Sequence, residues 1–253
     1  MLPFQIVVLG LVQALSEFLP IGGNGHLVLV PPIGWVPDHG LVADLAGHLG
    51  MLLALIIWFW RELPRLAGPL GGRVLLASLP ALVLGTLLQY LLGGRLGSLP
   101  VFAWTTIAFA LLLLAADLLS GRVKRLDRMK AREAFFLGLL QTLAFLPGSG
   151  RAGLAMVAAR AAGYERRDAA RFAFLLSIPA IAGIILVEAV RLALSDAILL
   201  YAGALGDAAL VGLVAGATSL VTIAFIMAWL ARAGFIIFVV YRLLIGAGLL
   251  YLV

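Results

Sequence analysis

Apolar residues run through this chain in long blocks separated by short polar punctuation. Six blocks approach or exceed the roughly 20 residues needed to cross a hydrocarbon core of about 30 Å. They cover 41–60, 74–93, 101–120, 172–192, 208–231 and 235–253, and each predicts a spanning helix. Two further apolar runs, 2–15 and 134–146, are too short to span and suit interfacial or re-entrant segments. Both reach a proline and break on glycine. QALSEFLPIGGNGHLVLV from Gln13 and QTLAFLPGSGRAGLAMV from Gln141 share Gln, Leu and then FLP followed by glycines, which we take as an internal repeat. Each unit is then one hairpin plus three spans, and because three is odd the second unit enters the membrane upside down. The expected fold class is all-α integral membrane, with six transmembrane helices and two re-entrant helical hairpins in two inverted-topology repeats. The first repeat is 1–120, a basic cytoplasmic connection is 121–133, and the second repeat is 134–253. SLPA at 78–81 and SIPA at 177–180 look alike but lie at unequal distances from the hairpins, so they are left out of the repeat.

Composition agrees with the pattern. Of 253 residues, 64% are hydrophobic and 12% charged, against roughly 45–50% and 25% in soluble domains. With no cysteine there is no disulfide or thiolate metal site. The first residues carry no basic group ahead of the apolar run, so the start is read as mature fold rather than a cleaved leader. The net charge of +6 would suit nucleic acid until the basic residues are sorted by connection. Arg61, Arg65 and Arg73, then Arg122, Lys124, Arg125, Arg128, Lys130 and Arg132, then Arg166, Arg167 and Arg171, and finally Arg232 all fall on one face of the alternating spans; Arg95 alone falls on the other. The positive-inside rule makes the basic face cytoplasmic and puts both termini outside. The basic loops are thus orientation signals and contacts for anionic headgroups, and nucleic acid is not an expected partner.

EFLPIGGNGHL at 17–27, HLGMLLALIIWFW at 48–60, LLQTLAFLPGSGRAG at 139–153, RFAFLLSIPAIAG at 171–183 and YRLLIGAG at 241–248 together resemble the undecaprenyl-diphosphate phosphatase family, also called UppP or BacA and linked with bacitracin resistance. The resemblance runs nearly end to end. It implies a bacterial inner-membrane hydrolase that removes one phosphate from undecaprenyl diphosphate, regenerating the lipid carrier of cell-wall (peptidoglycan) synthesis, with the headgroup handled at the outer side. The family's first hairpin typically reads EGxTEFLPVSSSGH or QGxTEFLPVSSSGH, so Glu17, Pro20, Gly25 and His26 are retained. Gly22, Gly23 and Asn24 replace its serines, Gly23 standing at the proposed nucleophile, and the family's earlier carboxylate falls on Gln13. The family pattern PGxSRSGxT becomes PGSGRAGLA, keeping Pro147, Gly148, Arg151 and Gly153 and replacing its hydroxyl residues by Gly150, Ala152 and Ala155.

The retained groups suit phosphate chemistry. Arg151 offers a planar fork for phosphate oxygens, at a helix start whose free amides favour anions; its plainer role is an ion pair with Glu17 tying the hairpins together. Gly22, Gly23, Asn24 and Gly25 in one hairpin, and Gly148, Ser149 and Gly150 in the other, can present amide or hydroxyl donors. With no serine at 23, two routes stay open: His26 attacks phosphorus, or Glu17 and His26 activate water, Glu17 also holding a divalent cation, Mg2+ or Ca2+. Glu17, His26 and Arg151 are therefore the candidate catalytic residues, and no organic cofactor is expected. Asp44 and His48 share a helical face and, with Gln13, are candidate supporting residues, His48 oriented by a carboxylate. Arg242 is read as structural. The expected partners are the polyprenyl diphosphate or phosphate and membrane lipids, with a homodimer left open. Loss of the serines also fits a non-hydrolytic undecaprenyl-phosphate carrier that keeps the binding hairpins, or a headgroup-binding protein without turnover.

Overall fold

The computed structural model describes residues 1–23, 26, 40–121, 124–194 and 205–252, the side chains of 89 and 93–95 excepted. Among them the only β-type pairing is an isolated bridge between Lys124 and Tyr164. The main helices are α1 (Pro3–Phe18), α2 (Gly40–Trp58), α3 (Pro69–Pro80), α4 (Thr86–Leu96), α5 (Leu99–Leu119), α6 (Ala131–Gln141), α7 (Arg151–Ala161), α8 (Arg166–Ala193), α9 (Leu205–Trp229) and α10 (Ile236–Leu252).

Five segments are long and apolar enough to cross a membrane: Gly40–Trp58, Pro69–Leu92, Leu99–Leu119, Arg166–Ala193 and Leu205–Trp229. They match the first five expected spans within a few residues. The segment expected as a sixth span, 235–253, holds the 17-residue α10, which falls short of the five in length. At about 1.5 Å per residue it reaches about 25 Å, slightly less than the hydrocarbon thickness. The second span is not one uniform helix. Pro80 has no amide proton to donate and crowds the carbonyl four residues back, and the chain passes through a π-helical turn at Ala81–Gly85 before α4 resumes.

The apolar runs before the two glycine breaks are helices as well. Pro3 opens α1, and Gln5 Oε1 accepts from the Leu2 amide at 2.9 Å; Leu19 then turns extended ahead of Pro20. In the second hairpin α6 tightens into a 3-10 turn at Thr142–Phe145, and Gly150, with φ +74°, launches α7. At 11 residues each, these two arms are roughly 16 Å long, about half a membrane. The second arm of the first hairpin lies outside the described residues, apart from His26.

Small residues set the closest helix crossings, as expected where lipid gives apolar side chains little reason to prefer one another. Gly50 of α2 lies against the backbone at Gly212 and Gly216 of α9, and Gly246 of α10 lies against the Ala103 carbonyl of α5. Phe18 meets Phe174 edge-on at 5.8 Å, joining the end of α1 to α8 in the core.

At one end of the bundle the basic connections turn out to be paired and not only solvated. Asp117, whose side chain is 7% exposed, accepts from Arg160 Nε at 3.1 Å and from Arg166 Nε at 2.8 Å and Nη2 at 3.0 Å, and it faces the Phe235 amide at 3.4 Å. Arg171 joins Glu62 at 2.7 Å and Asp127 at 3.7 Å. The finish of α5 and the starts of α8 and α10 therefore share one end, as alternating spans require. Asp117→Asn should destabilise the protein by about 3 kcal/mol, because the buried Arg160 guanidinium loses its carboxylate while Arg166, 40% exposed, can turn to solvent; thermal unfolding in detergent measures it.

Nearby, Glu133 accepts from Lys124 Nζ at 2.6 Å, the Lys130 amide at 3.0 Å and the Tyr164 hydroxyl at 2.9 Å. Although partial burial opposes ionisation, these bonds hold the Glu133 carboxyl at about 2, below its ordinary 4.5. Since the folded value is the lower one, this clasp contributes fully above its ordinary value and is lost as pH falls through the folded one. Across that interval the wild type should lose more thermal stability than Glu133→Gln.

Candidate active site between the hairpin tips

The two glycine breaks meet. Gly23 (φ +62°) and Gly150 (φ +74°) occupy the left-handed region that side chains disfavour, and they touch backbone to backbone. A Cβ at Gly23 would stand 2.7 Å from Gly150 Cα, and one at Gly150 would stand 2.9 Å from the Gly23 amide nitrogen. Glycine at one tip thus requires glycine at the other. Gly23→Ser, which restores a hydroxyl at the position where the resemblance expects one, should lower phosphate release and thermal stability rather than raise them. Parallel assay and unfolding of the variant check this.

Beside this contact, the last turn of α1 carries Glu17, 3% exposed, and the first residue of α7 is Arg151, whose side chain is 21% exposed. Arg151 Nη2 donates to Glu17 Oε2 at 2.7 Å. Gln141 Nε2 donates to the Arg151 carbonyl at 3.1 Å, steadying the start of α7. Glu17 Oε1 is buried without a hydrogen-bond partner among the described residues. A buried carboxylate satisfied on one oxygen keeps an acceptor in reserve.

Glu17, Gly22, Gly23, Gly148, Gly150 and Arg151 form the polar end of a cleft of about 510 Å³. From there it runs along an apolar wall that includes Ala81, Leu82 and Gly85 of the π turn, Phe145, and Leu176, Ala180 and Ile184 of α8. The SLPA and SIPA segments set aside in the sequence therefore both border it, through Ser78 and Ala81 and through Ala180.

The other predicted residues separate into distinct groups. Ser149 is 0% exposed, its hydroxyl donates to the Leu146 carbonyl at 2.7 Å, and it is not part of the cleft wall. Asn24 and Gly25 lie outside the described residues. Gln13 Nε2 donates to Asp44 Oδ1 at 2.9 Å, one turn of α1 below Glu17. His48 Nδ1 meets the Asp44 backbone carbonyl at 3.0 Å and Glu188 Oε2 at 3.1 Å. The carboxylate that orients His48 is thus supplied by α8, and the expected pairing with the Asp44 side chain is replaced by one to Glu188. His26 stands behind the first tip: its Nδ1 meets the Gly23 carbonyl at 3.1 Å, its Nε2 meets the Tyr241 hydroxyl at 3.0 Å, and its ring packs on Tyr241 and Phe102.

Arg242, read as structural from sequence, ties the tips together. It is 0% exposed and donates to the carbonyls of Pro20 in the first hairpin, at 3.4 Å, and of Gly148 and Ser149, the latter at 3.1 Å, in the second. The signal in the sequence was an arginine inside an apolar run, a placement that generally marks a functional or pairing position. Nothing local told which segment it would reach.

Arg151 and the glycine backbone suit an anion, Glu17 suits proton transfer, and the apolar wall suits a long hydrocarbon chain. A family model described as "Bacitracin resistance protein BacA" matches residues 6–248. The chain is 41% identical over 264 residues to the undecaprenyl-diphosphatase of Alcanivorax borkumensis, covering 98% of both chains. It is 42% identical over 275 residues to undecaprenyl-diphosphatase 1 of Rhodospirillum rubrum, covering 100% of this chain and 95% of that one. With the undecaprenyl-diphosphatase of Ruegeria pomeroyi it shares 36% identity over 263 residues, 98% of this chain and 97% of the relative.

Proposed function

The chain belongs to the bacitracin resistance protein BacA family, and from that membership we propose that it hydrolyses undecaprenyl diphosphate to undecaprenyl phosphate and inorganic phosphate, recycling the lipid carrier of cell-wall synthesis. The observation that carries this reading to the chain's own residues is the Glu17–Arg151 pair, drawn from opposite hairpins to the polar end of an otherwise apolar cleft. The carrier reading receives no support from the relatives, whose names are those of diphosphatases.

In this scheme the diphosphate enters between the tips with its prenyl chain along the Leu82–Phe145–Ile184 wall. Arg151 exchanges Glu17 for phosphate oxygens, which its fork meets in a bidentate arrangement. The freed Glu17 carboxylate takes a proton from water as the water oxygen bonds to the terminal phosphorus. The bridging P–O bond breaks, its electron pair stays with undecaprenyl phosphate, and inorganic phosphate departs. Arg151 and the amides of the glycine tips oppose the negative charge carried by the transferring group. No serine is needed as nucleophile, which agrees with glycine at 23 and 150. His26, turned toward Gly23 and Tyr241, is assigned to holding the tip.

A divalent cation fits as a group arriving with the diphosphate, because magnesium sites on phosphates commonly use one or two carboxylates, and Glu17 keeps one carboxylate oxygen, Oε1, without a hydrogen-bond partner among the described residues. Mg2+ or Ca2+ held by Glu17 would neutralise part of the diphosphate charge.

The inverted repeat is supported by reciprocal packing: α1 packs on α9 as α6 packs on α3, α2 packs on α9 as α8 packs on α3, and α2 meets α8 as α5 meets α10. In that arrangement the short arms are re-entrant, α10 is the sixth span, the basic connections are cytoplasmic, and both termini are outside.

Incubating the purified protein with C55 diphosphate and measuring released phosphate tests the activity. Release that Glu17→Gln abolishes is the expected result; release equal in wild type and Glu17→Gln would overturn the scheme, and none from either would overturn the activity.

A further inference from the structure

Tyr241 and its neighbour Arg242 place two successive side chains of α10 against the glycine tips, the arginine on their carbonyls and the tyrosine on His26. The Tyr241 hydroxyl lies 3.0 Å from His26 Nε2, with the two rings stacked at 5.8 Å and 23°, and Phe102 of α5 meets the imidazole edge-on at 6.1 Å. The opposite ring nitrogen meets the Gly23 carbonyl at 3.1 Å. A carbonyl can only accept, so Nδ1 carries the proton. In the neutral ring Nε2 is then an acceptor, and Tyr241 is its donor. Free imidazole in water has no such constraint.

The chain of bonds therefore runs Tyr241 O–H to Nε2 and Nδ1–H to the Gly23 carbonyl. Gly23 is the residue that touches Gly150 and borders the cleft. That carbonyl also accepts from the His26 amide at 3.2 Å, so the imidazole is one of two donors that hold the peptide plane presented to a bound phosphate.

We propose that Tyr241 is a positioning residue of the hydrolytic site, acting through His26: its hydroxyl fixes the imidazole in the Nδ1–H tautomer, and the imidazole fixes the Gly23 peptide at the cleft. This rests on the reading of the cleft as the diphosphate site. Tyrosine was visible in the YRLLIGAG segment, but its partner is 215 residues away.

Tyr241→Phe removes one oxygen and keeps the stacked ring, so the fold should survive, with thermal unfolding near that of the wild type. For hydrolysis of C55 diphosphate we expect KM to rise about fivefold with a smaller fall in kcat. In a His26→Ala background the same substitution should change nothing further, since coupled residues give non-additive effects. Equal cost in both backgrounds, or no cost in either, overturns the proposal. A second measurement needs no turnover. Side-chain 15N NMR of the protein, with His26 identified by comparison with His26→Ala, should show Nδ1 protonated and Nε2 as an acceptor in the wild type, and a changed Nε2 resonance in Tyr241→Phe. An Nε2-protonated ring, or a spectrum indifferent to Tyr241→Phe, overturns the proposal even if phosphate release is confirmed. The expected spectrum in a wild type that releases no phosphate would keep the Tyr241–His26 coupling and remove the diphosphatase reading instead.

Discussion

Arg151→Ala is expected to lower phosphate release from C55 diphosphate by at least about a thousandfold, the scale at which a guanidinium opposing transferring-phosphoryl charge is usually felt. Arg151→Lys should recover only a small part, because an ammonium keeps the charge but not the fork that meets two oxygens at once. Arg151 also holds Glu17 at 2.7 Å, so loss of activity by itself does not separate a catalytic role from a tie between hairpins. Removing the arginine alone strands a buried carboxylate, and a destabilisation of about 3–5 kcal/mol is expected. The double substitution Glu17→Gln with Arg151→Met removes both charges together. It should restore most of the thermal stability and none of the hydrolysis. Recovery of both would make the pair a structural tie and nothing more.

Arg242→Met is the second large effect. The side chain is completely buried, and its loss leaves the carbonyls of Pro20, Gly148 and Ser149 without that donor. Each stranded acceptor costs about 1–3 kcal/mol, so a total near 3–5 kcal/mol is reasonable after relaxation. Activity should fall at least about a hundredfold even at temperatures where the variant stays folded, because the tips are held at backbone contact and small misplacements of a reacting site are expensive. Arg242→Lys, which retains a donor for one or two of the three carbonyls, should lie between wild type and methionine in both stability and rate. Thermal unfolding and phosphate release on the same detergent-solubilised samples provide the comparison. A variant with wild-type KM and kcat would show that the tips keep their place without the arginine.

Part of the site was readable without coordinates. Glu17 and Arg151 are charges inside apolar runs next to FLP and glycine, and the cost of burying a charge in a membrane marks such residues for pairing or function. Their meeting was among the readings available, and the tertiary structure selected it. The glycines at 22, 23, 148 and 150 announced turns. That Gly23 and Gly150 require each other was not readable, since each looks locally like an ordinary chain reversal and the constraint is steric contact between them. Ser149 looked like a phosphate ligand from its place in the motif, yet its hydroxyl turns back to Leu146. His48 has a carboxylate four residues before it, but takes one from 140 residues away.

The class of protein, the position of five long apolar helices and the two breaks where polar groups gather are all legible along the chain. Segment length, proline, glycine and the cost of unpaired backbone in lipid are local properties that a chain carries in order. Which helices face one another, and so which residues complete the site, emerges with packing across the bundle. Helices that are apolar on nearly every side present no stripe that names a partner; small-residue crossings such as Gly50 on Gly212, and buried donors such as Arg242, make that choice across the bundle. The two glycine breaks could be read from the chain, while the clasp that brings them together could not.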